Sequence, residues 1–195
     1  MLKSPVHVRE RILSVASDLF RRQGYSETGI NQIIAESSSA KASFYQHFPS
    51  KEALGIAYLR ESYGAQQFEL LERLKKRNPN PEKFLKAWVY ILKREARKEN
   101  LYGCAMANLR AQTFAISPVL AEEVTSAANH ILNSLTDFLN TARQQRFLDK
   151  KVNTTNLARK LFIIYEGVIH VYKLTGDSGC LDDLYNMGNI IIRTA

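Results

Sequence analysis

Helical periodicity runs along this chain from end to end and leaves little room for another fold class. Val8, Ile12, Val15, Leu19 and Phe20 recur at i, i+4, i+7, i+11 and i+12, which gathers them on one face of a helix. Ser4 and Pro5 supply a start for that helix and Gly24 an end. Two short helices follow: "INQIIAES", with Ile30, Ile33 and Ile34 inward, and "KASFYQHF", with Phe44 and Phe48 on one face. From Ser50, a residue suited to capping, a longer run passes Leu54, Tyr58, Ala65, Phe68 and Leu71. It ends in Lys75, Lys76 and Arg77, whose charge complements the helix dipole. "NPNP" at 78–81 then breaks the chain. Beyond it a fifth helix carries Phe84, Trp88, Ile91 and Leu92, and Ser117 with Pro118 opens a long helix through Leu120, Ile131, Leu135 and Phe138. Two more fit residues 154–174 and 181–193. No period-two alternation with hairpin turns and no solenoid repeat interrupts the pattern. The expected fold class is all-α.

Charge narrows the choice of partners. The net +8 divides into +3 over residues 1–60, +4 over 61–100 and +1 over 101–195, so the basic excess lies in the first hundred positions and favours an anionic partner. Cys104 and Cys180 have no CxxC spacing and no paired histidines, which supports neither a zinc site nor a disulfide framework. The N-terminal "MLKSPVHVRER" lacks the apolar stretch of a signal peptide, and "LFIIY" at 161–165 is too short to span a bilayer. The expected setting is the reducing cytoplasm, with no membrane partner, no metal and no cofactor.

Residues 24–51 carry the chemistry. A helix followed by two short helices joined through small residues is the pattern of a helix-turn-helix, whose second short helix enters the major groove. "GYSETGINQIIAESSSAKASFYQHFPSKEAL" resembles the N-terminal domain of the TetR family of transcriptional regulators through Gly24, Tyr25, Thr28, Ile33, Lys41, Phe44, Tyr45, His47, Phe48, Ser50, Lys51, Glu52 and Leu54. It departs from that pattern at Gly29, Ile34, Ser38, Ser39, Ala40 and Ala42. Because Ala40 has no side-chain acceptor, Ser39 or Ser38 is expected to cap the second short helix. The resemblance implies a DNA-binding domain over residues 6–66, with its helix-turn-helix at about 29–48. By the same resemblance Lys41, Ala42 and Ser43 face the groove floor. Tyr45, Gln46, His47 and Lys51, with the Thr28–Gly29 end of the first short helix, meet sugar and phosphate.

The resemblance also implies that residues 67–195 bind a small-molecule effector and form a homodimer of about nine helices per chain, bound to double-stranded operator DNA. The candidate effector contacts are Trp88, Cys104, Met106, Asn108, Phe114, Asn133, Tyr165, Glu166 and His170, for each of which core packing is an equal reading. The stretch "LFIIYEGVIHVY" from Leu161 to Tyr172 is apolar almost all round, and a helix at the rim of a monomer needs only one apolar stripe. A subunit interface through Leu161, Ile164, Val168, Tyr172, Leu184, Gly188 and Ile191 is therefore expected, with a central helix buried by its own chain as the other reading. Nucleophile-elbow, zinc-protease, Walker and dinucleotide motifs are absent from the sequence, so no catalytic role is expected. The combined expectation is a ligand-released repressor on a palindromic operator. Two other readings stand beside it: a helical small-molecule-binding protein or enzyme without operator binding, and a charge-driven binder of nucleic acid or anionic membrane.

Overall fold

The computed structural model describes residues 5–61, 63–113 and 117–195. The expected cap Ser4 and the expected effector contact Phe114 lie outside them. Ten α-helices and one 3-10 turn make up the secondary structure of the described residues, with no strand among them. They are α1 (Pro5–Arg22), α2 (Ile30–Glu36), α3 (Lys41–His47), α4 (Lys51–Glu61), α5 (Tyr63–Arg77), α6 (Pro81–Arg97), α7 (Ala105–Thr113), α8 (Pro118–Gln144) and α9 (Thr154–Thr175), then the turn Ser178–Asp182 and α10 (Asp183–Arg193).

The helix ends follow the chemistry of their residues. Ser50 Oγ accepts from the Ala53 amide at 3.0 Å and so caps α4. Asn80 accepts from the amides of Glu82 and Lys83 at 2.9 and 3.2 Å, with Pro81 in the first turn of α6. Ser117 takes the Leu120 amide at 3.2 Å before the proline that opens α8, and Asn153 takes that of Asn156 at 2.9 Å. Each acceptor satisfies an N–H that the first helical turn leaves free.

The chain packs as two compact units. One comprises Met1–Gln67 with Ala105–Ala127, the other Phe68–Cys104 with Ala128–Ala195. In the first, Ile12, Ala16, Ile33, Phe44 and Leu54 are fully buried or nearly so, and Leu109, Leu120 and Val124 from α7 and α8 join the same cluster. Phe20 lies edge-on to Tyr58 at 5.5 Å and tilted on Tyr25 at 5.1 Å. This aromatic seam fixes α1 against the turn before α2 and against α4. The sequence alone placed α7 and the start of α8 downstream of this cluster. Their presence in it comes from pairings far apart in the chain, such as the contact a Cβ on Gly55 would make with Leu120.

In the second unit α10 packs on α9 and α6, with Phe84, Leu85, Leu135, Leu139, Leu157, Leu161 and Leu184 buried. Gly188 is required there. A Cβ at this position would lie 2.8 Å from Leu85 and 3.2 Å from Leu161, so the lack of a side chain lets α10 approach both helices. The residues expected to form a subunit interface pack largely within their own chain. Leu161, Leu184 and Gly188 are buried within their own chain, Ile164 and Val168 nearly so, and Tyr172 and Ile191 partly. The second apolar face exists, but it is a different stripe of the same two helices. Ile163 (61 % exposed), Val171 (45 %) and Leu174 (74 %) line α9, and Met187 (50 %) and Ile190 (62 %) line α10. A stretch that is apolar all round does not reveal its phase, which is why the sequence chose the inner stripe.

Candidate nucleic-acid interface

α3 is built to present one face. Phe44 is fully buried and Phe48 nearly so, and their rings lie 6.2 Å apart. With these two anchors buried, Lys41, Ala42, Tyr45 and Gln46 are exposed, and Ser43 and His47 half-buried. A cation, a methyl group, a phenol and an amide are thus offered to solvent by one two-turn helix, a set able to address base edges and phosphates. The Tyr45 ring stands edge-on to Phe44 at 5.3 Å, so its direction is fixed by the core beneath it. Arg9 covers that core from outside, its guanidinium 5.1 Å above the Phe48 ring and doubly bonded to Glu61 at 2.8 Å.

The turn between α2 and α3 departs from the expected capping. Ala40 is the N-cap of α3, in extended conformation and without a side-chain bond to the helix. Neither Ser38 nor Ser39 supplies that bond. Ser39 Oγ lies 2.9 Å from Ser37 Oγ, and Ser38 takes the left-handed conformation at φ +48° where the family pattern has glycine. The serines hold the turn rather than the helix. From α1, Arg11 Nε donates to the Ser37 carbonyl at 2.5 Å and Nη2 to the Ser38 carbonyl at 3.4 Å. The first amides of α3 are left without a side-chain acceptor, open to an anion or water. Nothing in the sequence singled out Arg11, because its partners lie 26 and 27 positions away.

Two other expected contacts change in meaning. Thr28 is fully buried, and its hydroxyl donates to the Gly24 carbonyl at 2.6 Å. It cannot reach a phosphate, and of the two residues expected at that end only Gly29, N-cap of α2, is exposed. Lys51 is half-buried. Its ammonium sits 4.4 Å from the Tyr25 ring centroid and donates to the Ser26 carbonyl at 3.3 Å. Burial lowers its pKa, against the pull of Glu27. The Tyr25 hydroxyl is pushed up to about 12 by burial and by Glu52, so it stays neutral beneath the lysine.

The expected effector residues scatter. Trp88 and Tyr165 stack at 4.7 Å, with Phe84 5.4 Å from Trp88. Nearby in sequence on α9, burial pushes the Glu166 carboxyl up, against a hydrogen bond from Cys104 and the charge of His170. His170 itself is exposed, Met106 and Asn108 belong to α7 in the first unit, and Asn133 is exposed on α8. Asn133 lines a groove of about 770 Å³ between α5 and α8. There Lys75, only 9 % exposed, donates to Glu72 at 2.6 Å and to the Ser134 carbonyl at 3.1 Å, with Ser134 Oγ also in contact. Phe68 and His130 face each other at 4.3 Å on the same wall. Burial pushes Glu72 up, but its bonds from Lys75 and Ser134 outweigh that and hold it below the usual carboxylate value. Sequence reasoning reached this groove only through Asn133, since its other members read as an amphipathic helix and a basic helix end.

Residues 12–58 match the pattern of "Bacterial regulatory proteins, tetR family", and residues 82–187, more than half of the chain, match "Tetracyclin repressor-like, C-terminal domain". The chain belongs to the TetR family of regulators. It is 24 % identical over 189 residues to the HTH-type transcriptional repressor NemR of Escherichia coli strain K12, covering 96 % of this chain and 95 % of that one. To the HTH-type transcriptional regulator LmrA of Bacillus subtilis it is 56 % identical, over 54 residues that cover 27 % of this chain and 29 % of that one. Its fold matches the crystal structure of a TetR-family regulator from Cytophaga hutchinsonii with a TM-score of 0.84 at 16 % identity, over 100 % and 97 % of the two chains. As a TetR-family member it is a DNA-binding transcriptional regulator, and α2 and α3 are its helix-turn-helix. No described helix is long and apolar enough to cross a membrane.

Proposed function

We propose that this regulator is a homodimeric repressor that binds a palindromic operator in the cytoplasm and is released by a small molecule. The observation that carries the DNA role is the outward face of α3, where Lys41, Ala42, Tyr45 and Gln46 stand on the buried Phe44 and Phe48. Lys41 and Ala42 read bases, Ser43 assists at the groove floor, and Tyr45, Gln46, His47, Lys51 and Gly29 position the head on phosphates. Residues 6–66 form the DNA-binding domain, and residues 67–195 serve effector binding and dimerisation. Relatives named as repressors, NemR of E. coli and DhaR of Mycobacterium sp. strain GP1, support the direction of control.

The dimer forms through Ile163, Val171, Leu174, Met187 and Ile190, exposed large apolar side chains on the packed pair α9 and α10 that a second copy would take out of water. It sets two heads on half-sites one helical turn or more apart. The effector occupies the α5–α8 groove, whose volume of about 770 Å³ suits a small molecule. Its binding favours one conformation over another and so lowers operator affinity. The protein has no catalytic role.

Selection of genomic fragments by the purified protein at moderate salt tests this reading. Specific fragments are expected to stay bound under excess competitor DNA. Retention of none, or loss of all binding as salt rises, would replace operator recognition by charge-driven association.

A further inference from the structure

The chain reaches the front of the helix-turn-helix from a distant helix. Gln112, on α7, accepts the Ser26 amide through Oε1 at 2.8 Å. Ser26 lies in the turn between α1 and α2, and its own carbonyl accepts from Lys51. One residue is thus held from both sides, its N–H by α7 and its C=O by α4. The turn is shaped to admit the glutamine. Gly24 stands at φ +95°, and a Cβ there would lie 2.8 Å from Gln112 Nε2 and 3.0 Å from Oε1, so the side chain fills the space that the glycine leaves. Two residues beyond Ser26, Thr28 ties back to the Gly24 carbonyl, and α2 begins at Ile30. The backbone from Gly24 to the start of α2 therefore has fixed points at Gly24, Ser26 and Thr28, of which only the Ser26 amide is held from outside residues 1–67.

We propose that Gln112 is a positioning residue for DNA reading: by holding the Ser26 amide it fixes the turn that aims α2 and docks Lys51, without touching DNA itself. The physical basis is that an exposed turn amide would otherwise exchange its bond with water. Held by a side chain, the turn keeps one arrangement out of several, and the phosphate-facing lysine bound to the same residue keeps its place. The proposal rests on operator recognition by the α3 face, and it makes α7 a contributor to affinity from outside the DNA-binding segment.

The test uses the full chain and its most strongly retained genomic fragment, with Gln112→Ala compared against Gln112→Glu, which keeps an acceptor at the same reach. Gln112→Ala should weaken that fragment about three- to tenfold, the worth of one neutral hydrogen bond, while affinity for non-specific competitor DNA changes less than about twofold. A mere loss of folded protein would lower both equally. Hydrogen exchange at the Ser26 amide should be slow in the wild type and in Gln112→Glu, and fast in Gln112→Ala. Operator affinity unchanged while Ser26 protection is lost would overturn the proposal, as would a Ser26 amide that already exchanges freely in the wild type. If Gln112→Ala melts well below the wild type, Gln112→Lys against Gln112→Glu replaces it, because lysine has similar reach but no acceptor. A wild type that retains no fragment refutes operator recognition instead, and Ser26 exchange still reads the bond.

Discussion

The helix-turn-helix unit and the unit around α6, α9 and α10 use the same kinds of side chain in opposite directions. In the first, aromatic residues turn inward and polar ones outward: Phe44 and Phe48 are buried and Lys41, Tyr45 and Gln46 exposed. In the second, the chemically capable groups turn toward one another. Lys75 is held by Glu72 and Ser134, Tyr165 stacks on Trp88, and Glu166 is bonded by Cys104. Donors left exposed remain available to an outside partner, whereas polar groups removed from water must find their partners within the protein.

The largest test of this contrast is Phe44→Ala. If α3 depends on its inward aromatics, loss of a fully buried phenylalanine should cost about 3–5 kcal/mol. Urea unfolding followed by circular dichroism measures it, and a cost below about 1 kcal/mol would mean that the outward face does not rest on that core. Next comes Ile163→Asp on the open stripe of α9. It should raise the dimer dissociation constant at least about a hundredfold, since a charge must then be desolvated in the interface. Sedimentation velocity reads this, and a dimer that persists would place the contact on another surface.

Lys41→Ala should cost about 1–3 kcal/mol at one base position and little at the others. Quantitative binding to single-base operator variants separates this from a uniform loss, which would make Lys41 a phosphate contact. Smallest is Glu166→Gln. The folded-state pKa of Glu166 is raised by burial, so the wild type loses stability as pH climbs from the ordinary carboxylate value through that raised one. The glutamine variant should therefore melt higher than the wild type at neutral pH and equal it near pH 4. Parallel melting curves that never converge would show that the carboxylate carries no such penalty.

Much of this was legible in the sequence, and for a physical reason. Periodicity reports burial within one helix, so Phe44, Phe48, Ile33 and Leu54 were assigned inward correctly, and the caps Ser50, Ser117 and the "NPNP" break follow from local backbone needs. The exposed residues of α3 follow by exclusion once those anchors are fixed, and the family resemblance, not the periodicity, supplies the expectation that they meet DNA. What the sequence could not show are contacts between positions far apart. The Arg11 hold on Ser37, the Gln112 hold on Ser26 and the entry of Leu109 and Leu120 into the first core have no local signature. Nor has the phase of α9, where Ile163 and Ile164 are equally apolar yet one is exposed and the other buried. Thr28 was expected at phosphate through the family resemblance alone, whereas its hydroxyl is used one turn earlier, on the Gly24 carbonyl.

Ser38 carries a consequence for how such a reading head can change over time. Its φ of +48° is a conformation that glycine adopts freely and serine does not, and here the bend between α2 and α3 is held both by its own backbone bonds and by Arg11 reaching it from α1. The orientation of the recognition helix is consequently inherited through α1 as well as through the turn. Arg11→Ala is expected to loosen that bend while leaving every side chain of α3 in place, so the positions at which selection can retune the geometry of the turn extend beyond the helix-turn-helix itself.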